Sequence, residues 1–164
     1  MQALLGLGSN LGDRWSNLAG AVSGLREWDE ELVVSPVYET EPVGGPDGQG
    51  PYLNCVARAE VAATPHAVLE FCLELEQRAG RVRIEHWGPR TLDIDVLFLD
   101  DLVIDTPELV VPHPRWAERA FVLVPLFDVA PDRVGERLEA VDTSGVRRVG
   151  ELLSGVVAPP ERAR

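Results

Sequence analysis

The sequence contains no lysine: all fifteen of its basic residues are arginine. That excludes a Schiff-base lysine and the lysine of a GxxxxGK[ST] phosphate loop, and leaves guanidinium as the only fixed cation able to hold phosphate. Cysteine is nearly absent as well. Cys55 and Cys72 lie in apolar patterns without CxxC spacing, which predicts buried thiols rather than metal ligands or a disulfide. No apolar run is long enough to span a bilayer, and the opening MQALLGLGSN carries no basic leader, so a cytoplasmic protein with no membrane partner is expected. Positive charge is outweighed to a net −12, and no basic stripe offers a nucleic-acid surface.

What is present suits one globular domain over residues 1–164, 45 % hydrophobic, with about 156–164 as a frayed polar tail. A monomer is expected. QALLGL (2–7) reads as a buried strand, and Asn10 or Asp13 can cap a helix whose apolar positions are Trp15, Leu18, Val22 and Leu25. The glycines at 6, 8 and 12 do not fit GxGxxG and read as a strand-to-helix turn. Strands follow at 31–38 and 52–61, joined by ETEPVGGPDGQGP, a Gly/Pro-rich stretch expected as a mobile surface loop. Thr64 and Pro65 open a second helix that ends near Gly80. A strand covers 92–99, a short helix 115–119, an apolar helix or strand runs through Phe127, and a helix is predicted near 147–155. The order β-α-β-β-α-β predicts a ferredoxin-like α+β sandwich, an antiparallel sheet with helices on one face.

The chemistry centres on LDIDVLFL. Asp93 and Asp95 stand two apart on a core strand, so their carboxylates share a face at roughly 6 to 7 Å spacing. Unpaired, such charges raise their own pKa or destabilise the fold. Two partners are open: arginines in a purely structural pairing, or a divalent metal. The preceding segment holds Arg78, Arg81, Arg83 and Arg90 against a single Glu85, a positive loop in a negative chain. An acidic pair beside guanidiniums suits a nucleoside triphosphate with Mg²⁺, whose hard ion takes carboxylate and phosphate oxygens while arginines fork onto the remaining charge.

HWGPRTLDIDVL closely resembles the signature segment of the 6-hydroxymethyl-7,8-dihydropterin pyrophosphokinase family of folate biosynthesis. GLGSNLGDR, SPVYETEPVGGPDGQGPYLNCV and VPHPRWAERAFVLVPLFDVAP resemble further segments of that family in matching order, reaching residue 131. The resemblance implies the same α+β fold and transfer of pyrophosphate from ATP to the pterin hydroxymethyl group, releasing AMP. It implies two Mg²⁺ ions on Asp93 and Asp95, with Arg81, Arg83 and Arg90 completing the catalytic group. ATP contacts would come from Glu76, His86, Trp87, Arg90, Val96, His113 and Arg119, with Trp87 between the two substrates. Tyr52 and Phe121 would sandwich the pterin ring, while Asn54 and the backbone at Thr40 and Val43 would bind its edge. His86 stands where many members carry arginine, which implies a weaker or pH-dependent phosphate grip.

On the residues alone two other classes stay open. One is a different phosphotransferase or a nuclease using the same acidic pair. The other is a non-catalytic module in which Asp93 and Asp95 only neutralise arginines.

Overall fold

The computed structural model describes residues 1–45, 47–80 and 89–152. Strand β1 (Gln2–Ser9) lies inside the sheet and pairs antiparallel on one side with β5 (Asp93–Leu99), the strand at the sheet's edge; apolar residues on both faces of β1 require cover above and below. On its other side β1 pairs with β4 (Tyr52–Glu60), and β4 with β2 (Val33–Val34) and β3 (Val37–Thr40), again antiparallel. Helix α1 (Arg14–Leu25) joins β1 to β2, and α2 (Pro65–Arg78) joins β4 to β5. The spatial order β5-β1-β4-β3 with these two crossovers is the ferredoxin-like α+β arrangement the sequence predicts.

Local chemistry sets the helix ends. Ser16 donates its N–H and its hydroxyl to the Asp13 carboxylate, so Asp13 caps α1 and Asn10 is released for other bonds. Thr64 Oγ1 accepts from Ala67 N at 3.2 Å, Pro65 fills the first turn, and Gly80, at φ +73°, closes the end of α2. Residues 31–38 do not form the single strand expected. Pro36 offers no N–H, Ser35 Oγ accepts from Val56 N instead, and the pairing with β4 advances by one residue between Val34 and Tyr38.

The helices do not all lie on one face. Leu18, Val22, Val68, Phe71 and Leu75 of α1 and α2 pack against Leu5, Leu7, Cys55, Ile94 and Val96. The opposite face, bearing Leu4, Val56, Leu97 and Phe98, is covered by α3 (Ala120–Val129) through Val122, Leu123 and Leu126. Arg58 Nη1 donates to the Val129 carbonyl at 2.7 Å and Tyr38 Oη to Asp128 at 2.7 Å, fastening the far end of α3 to the sheet. Cys55 and Cys72 are buried free thiols, as predicted.

Between β5 and α3 lie a two-stranded hairpin, β6 (Ile104–Asp105) and β7 (Val110–Val111), and a one-turn 3₁₀ helix at Trp116–Glu118, within the short helix expected at 115–119. A short α4 (Pro131–Val134) follows α3. The helix expected at 147–155 is corrected: Arg147–Gly150 is a strand, β8, antiparallel to β3, and residues from 153 lie outside those described. The edge of β3 supplies the unpaired backbone groups that hold β8 extended, Arg147 pairs with Glu39, and Gly150 lies under Trp15, where a Cβ would come within 2.8 Å of the indole.

Candidate active site

Alternation along β5 turns Asp93 and Asp95 to the α3 side of the sheet and Ile94 and Val96 into the core beneath α1 and α2. The partners of the two aspartates on β1 are Gly8 and Gly6, and these carry no side chain to cover them. A Cβ on Gly8 would lie 3.1 Å from Asn54 Oδ1 and 3.6 Å from a Tyr52 ring carbon. The bare strand is therefore the floor of an open cleft whose empty space, mouth included, is about 830 Å³.

One wall of the cleft is charged. Arg90 Nη1 lies 2.6 Å from Asp93 Oδ2, while Arg119 Nη1 and His113 Nε2 lie 3.7 and 3.8 Å from Asp95 Oδ2. Burial raises the Asp95 carboxyl above its ordinary range and the charge on Asp93 raises it further, opposed by His113, Arg119 and Arg90. Burial also lowers the His113 imidazole. Arg115 N–H donates to His113 Nδ1 at 3.1 Å, so the neutral ring carries its proton on Nε2, the nitrogen that faces Asp95.

The other wall is flat and apolar with one amide. Tyr52, Asn54 and Phe121 line it with Thr40 and Val43. Asn54 Nδ2 donates to Thr40 Oγ1 at 2.8 Å, which fixes the amide orientation. The Arg119 guanidinium sits 5.6 Å from the centre of the Phe121 ring and so joins the two walls.

Thr40, Val43, Tyr52, Asn54, Arg90, Asp93, Asp95, Arg119 and Phe121 thus meet at one cleft, with His113 beside Asp95. Two residues expected at ATP do not line it. The side chain of Val96 is turned into the core by strand alternation. Glu76 is buried on α2, where its Oε1 accepts from the backbone N–H of Ile94 at 2.8 Å, between the two aspartates. Arg81, Arg83, His86 and Trp87 lie outside the described residues. Sequence reading missed the role of Gly6 and Gly8 opposite the aspartates, and placed Gly8 in the turn after β1 rather than within it; their i, i+2 spacing was the available signal. It also missed Glu41 and Arg115, which line the cleft, and the bonding of Asn10 to Arg90.

For a metal, the wall supplies two hard carboxylate oxygen donors facing open space. No group of three or more His, Cys, Asp or Glu side chains forms a cage among the described residues. That donor set fits Mg²⁺, which keeps several waters and completes its shell with phosphate oxygens.

In fold, the chain is similar to a crystal structure of a Plasmodium falciparum HPPK-DHPS triple mutant, with a TM-score of 0.59 at 15 % identity over 80 % of this chain. It spans 40 % of that chain's length. Architecture and cleft together define a ferredoxin-like α+β domain with a small-molecule cleft that has one charged and one apolar wall. The family model described as 7,8-dihydro-6-hydroxymethylpterin-pyrophosphokinase matches residues 4–131, and the chain belongs to that family. It is 46 % identical to a 2-amino-4-hydroxy-6-hydroxymethyldihydropteridine pyrophosphokinase of Methylorubrum extorquens, covering 90 % of this chain and 98 % of that one. A Bacillus subtilis protein of the same description is 41 % identical, covering 94 % and 93 %.

Proposed function

We infer that the protein transfers the pyrophosphoryl group of ATP to the hydroxymethyl oxygen of 6-hydroxymethyl-7,8-dihydropterin, in folate biosynthesis. The observation that carries this reading is the single cleft in which an acidic pair ringed by Arg90, His113 and Arg119 faces a wall of Tyr52, Asn54 and Phe121. One wall suits polyphosphate and metal; the other suits a flat heterocycle with an amide edge.

In the reaction the hydroxyl oxygen bonds to the β-phosphorus of ATP, the bond from that phosphorus to the oxygen bridging it to Pα breaks, AMP leaves with that oxygen, and the hydroxyl proton passes to water. Two Mg²⁺ ions held by Asp93 and Asp95 would neutralise phosphate charge and polarise the hydroxyl. Arg90 and Arg119 exchange their carboxylate partners for phosphate oxygens, and His113 donates its Nε2–H. Tyr52 and Phe121 hold the ring, and Asn54, its amide oriented by Thr40, reads the pterin edge together with the backbone at Thr40 and Val43. Glu76 keeps β5 in register through Ile94 and so holds the spacing of the aspartates. Arg81, Arg83 and His86 are assigned to the nucleotide side, and Trp87 to a place between the two substrates, on the motif.

The reading takes residues 1–164 as one domain acting as a monomer in the cytoplasm on small molecules, without nucleic acid or membrane. No helix among the described residues is long and apolar enough to cross a bilayer. The test is a product assay with purified protein, ATP, Mg²⁺ and the pterin, nucleotides being resolved by chromatography. AMP formed only when pterin and Mg²⁺ are both present supports the reading. ADP, or AMP made without pterin, would overturn it.

A further inference from the structure

Arg14 is the first residue of α1, and the activity leaves it without a role. Its Nη1 donates to the Pro51 carbonyl at 2.7 Å, and its Nη2 lies 3.1 Å from Glu39 Oε2. Glu39 directly precedes Thr40, and Pro51 directly precedes Tyr52. Between these points the chain passes from β3 to β4 through a connection whose described residues include Gly44 and Gly48, both at positive φ, and Val43 at the cleft.

We propose that Arg14 is a positioning residue for the pterin half of the cleft, its guanidinium clamping together the entry and exit of the loop between β3 and β4. The inference rests on the function argued above. A loop of this length is expensive to order, and its tip can be no better placed than its two ends. The planar five-donor fork of arginine can hold a carboxylate and a carbonyl at once, which an ammonium does with less directional control. The side chains of Arg14 and Glu39 are only 29 % and 23 % exposed, so the contact is shielded from solvent more than a surface ion pair. Helix α1 is itself fixed, capped by Asp13 and packed through Trp15 and Leu18, so the clamp is anchored to a rigid element. Arg147 of β8 holds the other oxygen of Glu39.

Titration calorimetry of the pterin in the presence of Mg²⁺ and a non-hydrolysable ATP analogue provides the test, with analogue affinity and thermal midpoint measured on each variant. Arg14→Met should weaken pterin binding about tenfold, the worth of one charge-assisted hydrogen bond, while analogue affinity stays within about twofold. Arg14→Lys should recover part of the loss, and it carries the test alone should Arg14→Met not fold. Arg147→Gln should bind pterin as the unmodified protein does. Unchanged pterin affinity in Arg14→Met, or equal loss in Arg147→Gln, would overturn the clamp. Parallel loss of pterin and analogue affinity would also overturn it, since that is the pattern of general destabilisation. Absence of pterin binding by the unmodified protein would overturn the functional reading and the clamp with it.

Discussion

Asn10 holds the main chain of Arg90 at two points: its N–H donates to the Arg90 carbonyl at 3.1 Å, and its Oδ1 accepts from the Arg90 N–H at 2.8 Å. Its Nδ2 reaches the other side, to Gln49 Oε1 at 3.2 Å and the Gly50 carbonyl at 3.4 Å. One buried amide thus links the arginine that pairs with Asp93 to the end of the loop bordering the pterin wall.

Asn10→Ala removes the side-chain bonds and leaves the Arg90 N–H to find another partner. The expected cost is about 1 to 3 kcal/mol of stability, with turnover falling by at least about tenfold because Arg90 loses its placement. Denaturant melts and AMP formation measured on the same preparation check this. A stability loss with normal turnover would show that Arg90 is placed by other contacts.

Asp95→Asn keeps the shape of the side chain and removes its charge. Because burial and Asp93 already disfavour that charge, the fold should change by no more than about 1 kcal/mol, while turnover falls about 100-fold or more. The decisive comparison is thermal midpoint against kcat. Loss of both together would favour the purely structural pairing.

The pterin wall and floor can be altered separately. Phe121→Ala takes away one ring face and should weaken pterin binding about tenfold with ATP affinity within about twofold. Gly8→Ala puts a methyl 3.1 Å from Asn54 Oδ1 and should raise KM for the pterin in a protein that still folds. Steady-state kinetics with each substrate varied in turn separate these effects; a rise confined to KM for ATP would place the pterin elsewhere.

The cap of α1 predicts a pH dependence. Hydrogen bonds from Ser16 hold the Asp13 carboxyl below its ordinary range. A carboxylate depressed on folding stabilises the native state above its unfolded pKa, and that contribution is lost as pH falls through the folded value. Asp13→Ala should therefore lower the thermal midpoint at neutral pH, by an amount that shrinks at about pH 2.5. A difference that stays constant across this range would count against the cap.

Much of the site was legible in the sequence because it rests on short-range pattern. The i, i+2 spacing of Asp93 and Asp95 survives any packing of β5, and the alternation of Tyr52 and Asn54 on β4 puts both on one face. The motif resemblance supplied Phe121, Arg119 and His113, which periodicity would have left as core and surface residues. The role of Gly6 and Gly8 was missed because a glycine's value here lies in what stands opposite it, and the register of β1 against β5 is not written in β1. The reading of 147–155 as helix failed for a related reason: Arg147–Gly150 is extended only because β3 offers an edge.

The sequence by itself determined the β-α-β-β-α-β order, the helix start at Thr64, the acidic pair and its arginine-rich approach, since each depends on residues within a turn or two of one another. The tertiary structure alone decided the second helical layer, the strand at 147–150, the bare floor beneath the aspartates, and the bonds by which Asn10 and Arg14 hold loop ends 25 to 80 positions away. Those contacts follow from satisfying buried backbone groups and covering apolar faces across the whole sheet, a condition that no local stretch of sequence can meet alone.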